Sequence, residues 1–186
     1  AGCAAHARHG TTTLLPTTLA ASPELTLRMI RAVRQAQAAT TECTIAGVHL
    51  EGPFLALARK GAHDPECLKD PVPDIVDKML EASGADPASG KLGCIRQITI
   101  APELPHGISA IKQFTKAGVV PAVGHCDADY ETAKAGFDAG AGIMTHMFNA
   151  MNGLHHRKPG PIPAAVEDPR VTIEPVSYTH LTLPTI

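Results

Sequence analysis

The 186-residue sequence predicts an α/β fold, an incomplete (β/α)8 barrel holding about strands two to seven of the eight. Three observations carry that prediction. Short β-branched, apolar runs alternate at least five times with helix-patterned segments, which argues for a parallel sheet. Residues of metal-ligand type, Glu51, His125 and His146, close three of those runs. Candidate site residues spread over successive strand ends favour a barrel, since an open doubly wound sheet gathers its site at one switch point. Composition is the third: Ala, Gly and short aliphatics dominate while aromatics are 3% with no Trp, which suits helices packed closely on a parallel sheet. A complete barrel takes about 250 residues, so at least two strands are expected to be missing. No dinucleotide-type Gly loop or phosphate loop supports the open alternative.

The elements follow in chain order. Residues 2–9 pattern as a helix. Gly10 to Thr17 is β-branched and apolar, opened by Gly and stopped by Pro16, and reads as a buried strand. Ser22-Pro23-Glu24 supplies an N-cap, a first-turn Pro and a first-turn acid. Leu25, Met29, Ala32, Val33 and Ala36 then recur at helical spacing as the face expected to dock on the sheet. Thr44 to Leu50 is the second strand and delivers Glu51. Residues 55–64 read as an ordered loop beyond a strand end, 74–82 as a short helix, and the Gly/Pro-rich 83–93 as a surface loop. Gln97 to Ala101 is the third strand, stopped by Pro102-Glu103. Ile108, Ile111 and Phe114 mark the next helix, with Gly118 placed for its C′ position. Val119 to Val123 is the fourth strand, ending at Gly124-His125. Either Asp127 or Asp129 can cap the helix that runs to about Phe137. Gly142 to Thr145 is the fifth strand, 152–163 a loop, 164–167 at most a turn of helix, and Val171 to Glu174 opens a sixth strand.

Composition bounds function. With 18% charged residues and a net charge of −2, no basic field points to nucleic acid or an anionic membrane surface. The five Cys are an odd number without CxxC spacing, as expected of reduced thiols in a cytoplasmic protein. No run of about 18 apolar residues marks a membrane span.

The chemistry lies at strand ends. Two imidazoles and a carboxylate arriving on one face form a ligand set for Zn²⁺ or Fe²⁺ with positions left for water, the pattern of a catalytic site. His49, two residues before Glu51, points to the same side one layer deeper and reads as barrel filling or a supporting partner. The cluster His155-His156-Arg157-Lys158 admits a solvated loop or an anion site. Lys60 and His63 have the same two readings. Asp127, Asp129 and Glu131 are assigned to capping and first-turn dipole compensation. Glu103 stands at a strand end with its role open.

Several motifs then occur in one order: His49-Leu50-Glu51-Gly52-Pro53-Phe54, Lys60-Gly61-Ala62-His63, Ala101-Pro102-Glu103, Gly124-His125, Thr145 to Met151, and Gly153 to Gly160. Together they resemble the N-acetylglucosamine-6-phosphate deacetylase family of the amidohydrolase superfamily, over roughly residues 2–174. The resemblance implies a metal-dependent amide hydrolase with Glu51, His125 and His146 as metal ligands. It further implies that Ala62, His63, Asn149 and Ala150 contact the amino sugar, that Arg157 binds the phosphate, and that the parent protein is a homodimer. Two family features are expected outside this sequence: a His-x-His pair before Ala1 and the catalytic Asp on a later strand. Cys126 stands where relatives commonly carry Ser. Pro175 to Ile186 carries no acidic or basic residue apart from His180 and departs from the family pattern. A domain of 1–174 followed by a foreign junction tail is therefore expected, with His180 no ligand and the fragment itself inactive. The alternatives are another amidohydrolase, a cyclic amidase or deaminase, for which the Arg157 loop has no use, or a non-catalytic fragment whose open sheet edges promote aggregation.

Overall fold

The computed structural model describes residues 2–86 and 88–176. The chain opens with α1 (Gly2–Ala7) and two short strands, β1 (Thr13–Leu14) and β2 (Thr17–Thr18), followed by α2 (Pro23–Ala39). Next come β3 (Thr44–Ile45), β4 (Val48–Glu51), α3 (Pro73–Ser83), β5 (Ile95–Ile100) and α4 (Gly107–Lys116). It ends with β6 (Val120–Val123), α5 (Tyr130–Asp138), β7 (Ile143–Met147), α6 (Pro161–Val166) and β8 (Thr172–Pro175).

Six strands form one sheet in the order β2-β4-β5-β6-β7-β8, every pair parallel. Consecutive neighbours joined by crossing helices are the build of a (β/α)8 barrel, here incomplete, as the sequence predicts. Curvature is visible in the side chains. Glu51 on β4 and His146 on β7 are three strand spacings apart, about 14 Å in a flat sheet, yet their side-chain atoms meet at 3.1 Å. The sheet therefore curls round a common axis.

Alternation along β5 sorts its side chains between two interiors. Ile98 and Ile100, fully buried, pack in the apolar layer under the helices with Phe54, Ile111 and Phe114. Thr99 faces the other way and joins a polar string across the barrel interior. Thr17 Oγ1 meets His49 Nδ1 at 3.2 Å, His49 Nε2 meets Thr99 Oγ1 at 2.9 Å, and Thr99 meets Thr145 at 3.0 Å. His49 is thus interior filling, held by hydroxyls, as its spacing from Glu51 suggests.

Several expectations need correction. Gly10 to Thr17 is not one buried strand: Pro16, lacking an N–H, divides it into β1, paired with β3, and β2, paired with β4, and none of its residues is buried. The strand expected over Thr44 to Leu50 is likewise split at Gly47, where an added Cβ would lie 2.4 Å from the Cys94 carbonyl oxygen. Only glycine lets the two backbones pass that closely. Thr26 and Ile30 are the buried residues of α2, flanked by the half-buried Leu27, Met29, Val33, Ala36 and Gln37; of the expected face Leu25, Met29, Ala32, Val33 and Ala36, Leu25 and Ala32 are exposed. Gln37 Nε2 donates to the Ile45 carbonyl at 3.0 Å. Residues 161–163 belong to α6 rather than to a loop, because prolines in a first turn leave no N–H unpaired. Ser22 caps α2 as expected, accepting from Leu25 N at 3.3 Å. Asp129, not Asp127, caps α5, accepting from Thr132 N at 2.8 Å. Gly118 follows α4 at φ +75° in the C′ position. The expected tail boundary at 174 falls inside β8, and 177–186, with His180, lie outside the described residues.

Candidate metal centre

Glu51 is the last residue of β4, His125 follows the end of β6, and His146 lies near the end of β7. Both histidines leave the extended conformation for positive φ, +47° at His125 and +32° at His146. Non-glycine residues hold that conformation only where their surroundings enforce it, a pattern common at functional sites. The three side chains converge: His125 Nε2 and His146 Nε2 each lie 3.1 Å from Glu51 Oε1, and 3.0 Å from one another. Hydrogen bonds to the two imidazoles hold the Glu51 carboxyl far below the usual carboxylate range, against the opposing effect of burial. The same contact with Glu51 raises the pKa of His146, with desolvation opposing it.

The donor set fits a divalent cation. His125 Nδ1 lies 2.7 Å from the carbonyl oxygen of Arg59 and must donate to it, so in the neutral ring Nε2 presents its lone pair to the cluster. Two imidazole nitrogens and a carboxylate oxygen all lie within 4.8 Å of one another. Separations of 3.0–3.1 Å suit ligands sharing one ion at about 2.0–2.2 Å. Without a shared cation or proton, the two lone pairs and the carboxylate would repel.

The surroundings are built to hold these rings. Ala56 N–H donates to the His125 carbonyl at 2.9 Å. Gly61, at φ +57°, runs beside the ring so closely that an added Cβ would lie 3.1 Å from His125 Cε1. His63, 4% exposed, stands edge-on to His125 with ring centroids 4.8 Å apart. Burial first, then the neighbouring imidazoles, lower its pKa. Glu103 accepts the Asp127 N–H through Oε1. Its Oε2 is buried with no partner among the described residues, and burial pushes its carboxyl up.

The remaining sequence candidates divide. His63 and Ala62 lie on the segment that carries Gly61, with Ala62 exposed. Asn149 is exposed and its N–H donates to the His146 carbonyl at 2.9 Å; Ala150 follows at φ +50°. Arg157 lines a groove of about 900 Å³ whose walls include Asp127, Asn152, His155 and Lys158, and none of Glu51, His63, His125 or His146 lines it. Sequence reasoning passed over Arg59 and Asn152 and gave Asp127 to helix capping. Arg59 in fact pairs with Asp127 at 2.8 Å, a contact between distant loops that leaves no local signal. Among the described residues no helix is long and apolar enough to cross a membrane.

Comparison with known proteins places the chain among relatives. The zebrafish (Danio rerio) N-acetylglucosamine-6-phosphate deacetylase is 34% identical over 152 residues, covering 82% of this chain and 36% of its own length. The crystal structure of N-acetyl-D-glucosamine-6-phosphate deacetylase from Mycobacterium smegmatis superposes with a TM-score of 0.82 at 43% identity, over 93% of this chain and 43% of that one. A D267A mutant of that enzyme in complex with N-acetyl-D-glucosamine-6-phosphate matches equally, with a TM-score of 0.82. The chain thus spans less than half the length of these relatives. The amidohydrolase family model matches residues 1–182, and with the parallel barrel strands and the Glu-His-His cluster at their ends, the chain belongs to the amidohydrolase family.

Proposed function

We propose that the protein to which this chain belongs is a metal-dependent deacetylase that converts N-acetylglucosamine 6-phosphate to glucosamine 6-phosphate and acetate. The observation that carries this is the meeting of Glu51, His125 and His146 side chains at 3.0–3.1 Å, in a chain 43% identical to an N-acetyl-D-glucosamine-6-phosphate deacetylase. In this reading those three residues are the ligands of a Zn²⁺ or Fe²⁺ ion. When bound, such an ion supplies Lewis acidity toward the acetamide carbonyl and lowers the pKa of water near neutral pH.

The chain's own residues do the rest. Glu51 contributes a negative charge, and His125 a lone pair whose tautomer Arg59 fixes. His63 accepts from Ala20 N–H on Nδ1 and presents Nε2–H as a donor to the amide substrate. Ala62, Asn149 and Ala150 orient the sugar, and Arg157 takes the phosphate through its planar fork. Since Arg157 does not share a cavity with the three ligands, we assign it to the site of a second copy in a homodimer. The role of general base is left to the Asp that the family resemblance implies on a later strand. A small phosphorylated sugar and a cytoplasmic setting complete the reading.

The test is acetate release by the protein expressed from its native gene, with N-acetylglucosamine 6-phosphate and with unphosphorylated N-acetylglucosamine, before and after chelation. Release that needs both the phosphate and the metal is expected. Equal rates on the two sugars would point to a different amidohydrolase substrate, and no release with either would end the proposal.

A further inference from the structure

The three clustered side chains stand at the ends of β4, β6 and β7, and one guanidinium links the segments that leave those strands. Arg59 lies in the turn Leu57–Arg59 on the segment leaving β4 and Glu51. Its Nε donates to Asp127 Oδ1 at 2.9 Å, and its Nη2 lies 2.8 Å from the same oxygen. Nη2 also donates to Asn152 Oδ1. Asp127 is two residues beyond His125, and Asn152 lies on the segment leaving β7 and His146. Asn152 Nδ2 closes the circuit by donating to the Asp127 carbonyl at 2.8 Å and the Ala128 carbonyl at 3.2 Å. A parallel bridge between Cys126 and Met151 joins the same two segments. The carbonyl of Arg59 itself receives the His125 Nδ1–H at 2.7 Å.

We propose that Arg59 is a positioning residue that holds the loops after β4, β6 and β7 in the register that brings Glu51, His125 and His146 together. This rests on the reading of those three residues as metal ligands. Stability alone does not explain the arrangement. The Arg59 and Asp127 side chains are 33% and 51% exposed, and an ion pair so wet contributes only about 0–1 kcal/mol. Its value is geometric. A planar fork can serve Asp127 and Asn152 at once, which a lysine ammonium cannot do with fixed directions. By fixing its own side chain, Arg59 also fixes the carbonyl that sets the tautomer and tilt of His125. Groups that orient a ligand imidazole are typically worth about 10–100-fold in metal affinity.

Titration of the metal-free protein, expressed from its native gene, with Co²⁺ tests this, read as a dissociation constant and as the visible d–d spectrum, alongside melting of the metal-free protein. Arg59→Ala is expected to weaken Co²⁺ binding about tenfold or more and to change the d–d band, while the metal-free melting temperature moves little. Arg59→Lys should recover only part of the affinity, and Asn152→Ala should lose part of it. The Arg59→Ala/Asp127→Ala double variant should bind no worse than Arg59→Ala, because the two side chains act as one contact. An unchanged dissociation constant and spectrum in Arg59→Ala overturns the proposal, as does full recovery by Arg59→Lys. If the wild-type protein takes up no Co²⁺, the metal reading fails and this proposal with it, an outcome distinct from a wild type that binds and a variant that binds equally.

Discussion

The backbone N–H of Ala20 donates to His63 Nδ1 at 3.1 Å, joining the segment after β2 to the one that follows β4 and so settling which ring nitrogen carries the proton. With burial lowering its pKa, His63 is a neutral Nε2–H imidazole at neutral pH. Ring ¹⁵N shifts should therefore place Nδ1 in the acceptor range and Nε2 in the protonated range. In the active protein, His63→Phe is expected to lower kcat by about 10²-fold while leaving the fold intact. Donor-range shifts at Nδ1 would remove the basis for that role.

His49 gives a pH dependence with a definite sign. Burial lowers its pKa, His146 adding to the effect and Glu51 opposing it. The unfolded chain takes up a proton near pH 6.5, whereas the folded chain resists it. Stability is then fully present above about pH 6.5 and is lost as pH falls from there toward the folded-state pKa, by at most about 1.4 kcal/mol per pH unit. Urea unfolding at pH 7.5 and pH 5.5 should show this loss, and His49→Gln should make the slope shallower. A slope unaltered by that substitution would assign the acid sensitivity to another group.

Gly61→Ala combines two penalties at one position. Its φ of +57° disfavours any Cβ, and the new Cβ would lie 3.1 Å from His125 Cε1. The expected cost is about 1–2 kcal/mol in unfolding free energy, with weaker metal binding as the His125 ring is displaced. Calorimetry and metal titration of the same variant check both effects.

The two aspartates before α5 should separate by function. Asp129 accepts from Thr132 N at 2.8 Å as an N-cap, so Asp129→Ala should cost about 1 kcal/mol in stability without altering metal affinity. Asp127→Ala should do the reverse, since its side chain meets Arg59 across the loops. Chemical denaturation and metal titration of both variants would expose any exchange of these roles.

Local chemistry made much of this protein legible before folding is considered. Ser22-Pro23 starts α2, Gly118 ends α4, and Glu51, His125 and His146 each close an apolar run, because caps, breakers and strand periods act over a few residues. The face of α2 was only partly legible: in a helix rich in Ala several stripes have similar apolar content, and Gln37 is drawn inward by the Ile45 carbonyl, which the packed β3 segment supplies. The splitting of the second strand was not legible, since it depends on the Cys94 backbone that Gly47 meets across the sheet. The clamp by Arg59 lay furthest out of reach. Its partners are 66, 68 and 93 residues away, and only the curl of the sheet brings their loops within reach of one guanidinium. Sequence by itself determined which residues stand at the strand ends; tertiary structure decided that their side chains meet, because convergence is a property of barrel curvature and not of any one strand.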